Sequence, residues 1–254
     1  MSNPLRILIA GESWVTHSIH QKGFDSFTTT AYYEGVGPLR EALESKGAHV
    51  DYMPNHIAAT EFPETAEALA VWDVVVLSDI GANTLLLHPD TFERSVPKPN
   101  RLVAIRDYVK AGGGLLMVGG YLTFGGIEGK ARYAGSPVEE ALPVTLQPGD
   151  DRVENPAGAL PAIQALDHSI VVGLPADWPA LLGYNQVSAK PEAELVVSVD
   201  EDPLVVVGEF GDGRSAVFTS DCGPHWCPPP FMAWDGYAPM WDNIVRWLAR
   251  EEIA

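Results

Sequence analysis

Residues 101–126, RLVAIRDYVKAGGGLLMVGGYLTFGG, constrain the fold more than any other stretch of this chain. Leu102, Ile105 and Val109 give the first half an apolar helical side, and three glycines at 112–114 stop the helix. Residues 115–118 form a continuous apolar run of strand length, as a parallel strand covered on both faces requires. Gly119 and Gly120 then permit a tight turn that presents Tyr121, with Leu122, Thr123 and Phe124 before Gly125 and Gly126. Ligands bind at the carboxyl ends of the strands in open α/β sheets. A strand, a glycine turn and a displayed residue also make up a nucleophile elbow. Here the displayed residue is Tyr121, which is not an ordinary nucleophile.

The same punctuation recurs upstream. Residues 6–10 (RILIA) read as a strand that ends in Gly11, Glu12, Ser13 and Trp14. A helix is expected at 39–45, a strand at 49–53, a helix at 64–72, and a third strand at 73–78 that ends in Asp79. This β-α-β-α-β-α-β order predicts a parallel sheet with helices on both faces and right-handed crossovers. Residues 14–33 are too long for an ordinary connection and read as a loop that covers the strand-end cleft or reaches a second subunit. Trp14, Val15, Ile19, Phe24, Phe27, Tyr32 and Tyr33 give it a large apolar surface that wants a partner. His17 and His20 within it could ligate a metal if that stretch were helical. Residues 85–99 read as a polar, proline-bearing loop.

Later, 195–199 reads as a strand, and 204–210 and 214–219, joined by Gly211, Asp212 and Gly213, read as a β-hairpin. A helix closes the chain at 239–250, with Trp241, Ile244, Val245, Trp247 and Leu248 as its apolar stripe. Residues 136–203, rich in Pro, Ala and Gly, are expected to elaborate a single domain spanning 1–254. The fold class is α/β: a three-layer sandwich with a mostly parallel central sheet and a late β-hairpin.

Charge narrows the partners. With 34 acidic and 16 basic side chains the net charge is −18, which repels nucleic acid and anionic membranes. No apolar run is long enough to span a bilayer, and the opening MSNPLRILIAG lacks a signal-peptide core. A cytoplasmic protein is expected. Two cysteines make no disulfide framework. No G-x-G-x-x-G or Walker pattern follows a strand, and neither a cofactor nor a metal is expected. The partners left are a small-molecule ligand and further copies of the chain, as a homo-oligomer.

A parallel sheet would bring the residues after its strands to one edge. His225 is the candidate catalytic base or acid there, with Glu12, Asp79 or Asp221 as its partner. Tyr121, Thr123, Ser13, Trp14 and Trp226 are the candidate substrate contacts. The alternative is that these acids and serines are turn formers and caps. Cys222, His225 and Cys227 fall short of the four ligands of a structural zinc site. Cys222 could be a displaced nucleophile beside His225, although a buried, inert thiol is the stronger reading.

Five motifs carry a family likeness: GESWVTHSIHQKGFDSF at 11–27, VVVLSDIGANT at 74–84, MVGGYLTFGG at 117–126, ALDHSIVVGLP at 165–175, and GRSAVFTSDCGPHW at 213–226 with the WDGY that follows. In these the chain resembles the class I glutamine amidotransferase-like superfamily, and within it the GATase1-like subfamily, a neighbour of the ThuA-like proteins. The resemblance implies a flavodoxin-like fold. It also implies an elbow cysteine, a histidine after the last core strand, and an acid two residues further on. Tyr121 stands at the cysteine position, His225 matches the histidine, and Cys227 replaces the acid. A phenol with a pKa near 10 is no substitute for a thiolate, so conventional glutamine hydrolysis is not expected. What remains is a hydrolase or lyase acting on a small polar metabolite, carbohydrate derivatives included. The alternative is a catalytically inactive domain of this type that binds a ligand or builds an oligomer.

Overall fold

The computed structural model describes residues 4–253; the first three residues of the opening segment and the last residue of the chain lie outside that range. The chain begins with β1 (Arg6–Gly11), followed by an antiparallel ribbon of β2 (Ser13–Lys22) and β3 (Asp25–Glu34). Helix α1 (Gly37–Ser45) leads to β4 (His49–Met53), and α2 (Asn55–Glu61) and α3 (Ala66–Leu69) lead to β5 (Val74–Ser78). Three helices, α4 (Ala82–Leu86), α5 (Pro89–Arg94) and α6 (Arg101–Lys110), precede β6 (Gly114–Val118). After α7 (Pro137–Ala141) come β7 (Val144–Thr145), β8 (Arg152–Ala159), β9 (Pro161–Ile163), β10 (Leu181–Asn185), β11 (Ser188–Ala189) and β12 (Glu194–Val199). The hairpin of β13 (Asp202–Phe210) and β14 (Gly213–Phe218) follows, and α8 (Pro229–Met232) and α9 (Tyr237–Leu248) end the chain.

Eight strands form the central sheet in the order β4-β1-β5-β6-β14-β13-β12-β9. The pairs from β4 through β14 are parallel, and β13, β12 and β9 add an antiparallel wing. Because successive side chains of a strand point to opposite faces, β1 sends Ile7 and Ile9 into one core and Leu8 and Ala10 into the other. The first core lies under α1 and α9, with Leu39, Leu43, Trp241 and Ile244; the second lies under α6, with Ile105 and Val109. This is the flavodoxin-like three-layer arrangement, with small hairpin sheets beside it. Helix α6 starts where the Asn100 side chain accepts a hydrogen bond from the Leu102 N–H (3.0 Å). Arg101, buried at its first position, donates to the carbonyls of Leu85, Ala58, Ala59 and Thr84 and so ties α2 and α4 to α6. Among the described residues no helix is long and apolar enough to cross a membrane.

Three expectations need correction. Residues 14–33 are not a loop but the β2–β3 ribbon, paired in register from Ser13↔Glu34 to Lys22↔Asp25. The β-branched Val15, Thr16, Ile19 and Thr28–30 favour strand, and Gly23 supplies the turn between two runs of them. As strand neighbours three apart, His17 and His20 lie on opposite faces. They bond Thr30 and Thr29 across the ribbon and do not form a ligand pair. The expected loop at 85–99 contains the end of α4 and all of α5. Pro89 is preset for a first helical turn there, and His88 accepts from the Asp90 N–H (3.0 Å). The helix expected at 64–72 contracts to the single turn of α3.

Candidate functional site

The carboxyl ends of β1, β5, β6 and β14 meet at one edge of the sheet. Gly11 closes β1 at φ +117°, and a Cβ there would lie 1.8 Å from the Ser78 carbonyl oxygen, so β1 and β5 end in backbone contact. Glu12 follows in the left-handed region and donates its N–H to that carbonyl (2.8 Å). Its buried side chain accepts from the Ser78 hydroxyl at 2.5 Å. At the end of β5, Asp79 Oδ1 accepts the Leu122 N–H (2.8 Å) and so fixes the turn after β6. Beyond β14, Asp221 Oδ1 accepts the Gly223 N–H (3.0 Å), and Cys222 Sγ lies 3.7 Å from Ser78 Oγ. Ligand-type atoms of Glu12, Asp221 and Cys222 all lie within 4.8 Å of one another.

Glu12 and Asp221 are thus buried, and Asp79 partly buried, with little countercharge. Burial, and then the nearby Asp79 charge, push Glu12 up to about 7. Burial also raises Asp79, and burial followed by the Glu12 charge raises Asp221 well above the usual carboxylate range. Cys222 is pushed up by burial and then by Glu12, which keeps it a thiol of low reactivity. Among the described residues the basic group in ion-pair range of this cluster is His225, whose Nδ1 lies 3.9 Å from Asp221 Oδ2.

His225 sits at the surface, with 60% of its side chain exposed. Its ring stacks on Tyr121 (centroids 5.6 Å, 19°) and lies 6.1 Å from Trp14, which in turn stacks on Tyr33. Trp226 lies 5.6 Å beyond Tyr121. The Tyr121 hydroxyl donates to Glu154 (3.2 Å), as does Trp226 Nε1 (2.9 Å), and the Arg152 guanidinium lies 4.9 Å from the Tyr121 ring. Burial and then Glu154 raise the Tyr121 phenol, so it stays protonated and is no stand-in for an elbow thiolate.

The structure therefore brings Glu12, Asp79, Asp221, His225, Tyr121, Trp14 and Trp226 together. Ser13 is buried behind them, where its hydroxyl accepts the Asn55 N–H (2.8 Å). Thr123 is fully buried and its hydroxyl has no partner. Ser13, Thr123 and Trp226 are buried, whereas Trp14 and Tyr121 are partly exposed and His225 is exposed. A cavity of about 370 Å³, lined by Trp72, Asp73, Tyr108 and Gly113 among others, sits at the opposite edge of the sheet.

Sequence reasoning missed the residues that brace the turn. Asp151 accepts from the N–H groups of Gly125 (2.7 Å) and Gly126 (2.8 Å) and from Asn185 Nδ2 (2.8 Å). Asn185 Oδ1 in turn accepts the Gly120 N–H (3.0 Å). The signal available was the charged run Asp150, Asp151, Arg152 inside an otherwise Pro- and Gly-rich stretch.

Against solved structures, the chain is 47% identical to each of two cytoplasmic proteins of Salmonella typhimurium. Their TM-scores are 0.94 and 0.93, and each match covers 96% of this chain and 99% of the other. A ThuA-like protein from Parabacteroides merdae shares the fold at 13% identity, with a TM-score of 0.62 over 99% of this chain and 92% of that one. A comparison with curated proteins finds no match. The family described as "Putative glutamine amidotransferase" matches residues 6–250. Over nearly its whole length, then, the chain belongs to this GATase1-like family, with ThuA-like proteins among its structural neighbours.

Proposed function

We propose that this family member is a hydrolase or lyase acting on a small polar metabolite, carbohydrate derivatives included, through acid–base chemistry and not through a thiol nucleophile. The observation that carries the reading is the placement of His225 at the mouth of a buried acid cluster, with Asp221 3.9 Å behind its ring. In this reading His225 exchanges a proton with the substrate, and Asp221 orients the imidazole. Glu12, poised near neutral pH, is the second proton carrier. Trp14 and Tyr121 offer ring faces to the apolar side of a sugar-sized ligand. Asp79 acts indirectly, by holding the turn that carries Tyr121. The same acids also cap turns, but Asp221 uses Oδ1 for its cap and keeps Oδ2 toward His225. We read the chain as one domain in which 136–203 serves the site through Asp151 and Asn185. We place it in the cytoplasm with its two Salmonella relatives, free of nucleic acid and working without a cofactor.

Incubation with glutamine separates this chemistry from that of a conventional amidotransferase. No ammonia release above background is expected, because the elbow holds a protonated phenol and the nearest thiol is buried and raised. Turnover that disappears in Cys222→Ser would overturn the reading and point to a relocated nucleophile.

A further inference from the structure

The β2–β3 ribbon stands away from the body that carries it. Ten residues in each strand give a length of about 34 Å. Its side-chain contacts with the body lie at the root: Trp14 with His225, Tyr32 with His56, and Ser13 with Asn55. Beyond that root, Ile19 is 78% exposed and Phe24 at the tip is fully exposed, while Phe27 is half exposed beside His20. An isolated two-stranded ribbon is at best marginally stable in water. This one also leaves two strand edges and two apolar-bearing faces without a partner, the features that draw in a further strand or sheet.

We infer that the ribbon is an assembly arm whose occupant is the ribbon of a second copy of this chain. Charge favours a copy over any other surface of the same protein. The chain carries −18 overall, so two copies repel each other across most of their surfaces. Residues 13–34, by contrast, contain only Lys22, Asp25 and Glu34 as charged groups, apart from two histidines. The ribbon is therefore the place where two such chains approach at least cost. A ribbon of this length and about 10 Å width presents on the order of 340 Å² on one face, a small contact beside the about 800 Å² per partner of a standard stable interface. A two-fold arrangement, ribbon against ribbon, is self-complementary and closed. It sets the joined roots beside His225, because Trp14 belongs to both the ribbon and the rim of the site. This inference stands independently of the proposed reaction.

Size-exclusion chromatography with light scattering on the full chain tests it, with the Ile19→Asp/Phe27→Asp double variant alongside. Both positions are exposed, so the variant should keep the wild-type far-UV circular dichroism. Expected is a wild-type mass of two protomers, each of 27.4 kDa, falling to one in the variant. A larger closed assembly that likewise falls to the protomer would still place the contact on the ribbon. A wild-type chain at the protomer mass, or an assembly that the double variant leaves intact, would overturn the inference.

Discussion

Replacing Glu12 by Gln is expected to raise the unfolding free energy at pH 8 by about 3 kcal/mol. In the folded protein this carboxyl titrates near 7, against an ordinary value of 4.5, first because it is buried and second because Asp79 lies close. Between those two pH values the folded state holds a proton that the unfolded chain has released. The stability contributed by the neutral acid is therefore complete below about 4.5 and is lost as pH rises through 7. Gln has nearly the same volume, its carbonyl can still accept the Ser78 hydroxyl, and it never ionises. Urea unfolding of both proteins at pH 8 and at pH 4 reads the effect directly. A clear gain at pH 8 that vanishes at pH 4 is expected. Equal stabilities at pH 8 would mean that the folded protein carries an ionised Glu12 at no cost, and the buried-acid description would fail. A wild-type chain that keeps a destabilising acid here fits a group retained for chemistry rather than packing.

The second large effect concerns the turn after β6. A Cβ added at Gly119 would sit 2.0 Å from the Thr219 carbonyl oxygen and 2.4 Å from its carbon, both backbone atoms of the segment leaving β14. The two strands are pinned there by the Gly119 N–H donating to the Phe218 carbonyl at 2.7 Å. No side-chain rotation relieves such a clash, so the strand ends must part. Gly119→Ala is expected to cost about 4 kcal/mol or to leave the protein insoluble. Gly149→Ala, where an added Cβ meets nothing within 4 Å, serves as the control and should shift stability by less than about 0.5 kcal/mol. A Gly119→Ala protein that unfolds within about 1 kcal/mol of wild type would show that the turn tolerates separation of β6 and β14.

The centre of the parallel core was legible because β1, β5 and β6 are each a short apolar run closed by a polar or glycine residue. The residues just after those runs and after β14, Glu12, Asp79, Tyr121 and Asp221, reach one edge by topology alone. The β2–β3 ribbon was harder to read. Its polar and apolar residues share both faces, so the alternation that marks a half-buried strand is blurred, as an arm with no core beneath it allows. Asp151 and Asn185 were not legible at all. Their partners lie 25 to 65 residues away in the chain, and a buried Asp that accepts two glycine N–H groups looks in sequence like any loop aspartate. The sequence also assigned Ser13 and Thr123 to substrate contact by proximity to strand ends, whereas packing buries both. Nearness to a strand end decides which edge a residue occupies; burial decides whether a ligand can touch it.

The claim that the strand-end cluster is a ligand site centred on His225 is tested most directly by a thermal-shift screen. Wild type and His225→Ala are each exposed to a library of small polar metabolites rich in sugars, sugar acids and polyols. Expected is at least one compound that raises the melting temperature of the wild type and leaves His225→Ala unmoved, with both proteins melting alike in its absence because the exposed ring contributes little to packing. Compounds that shift both proteins equally, or a library that shifts neither, would contradict a site at His225.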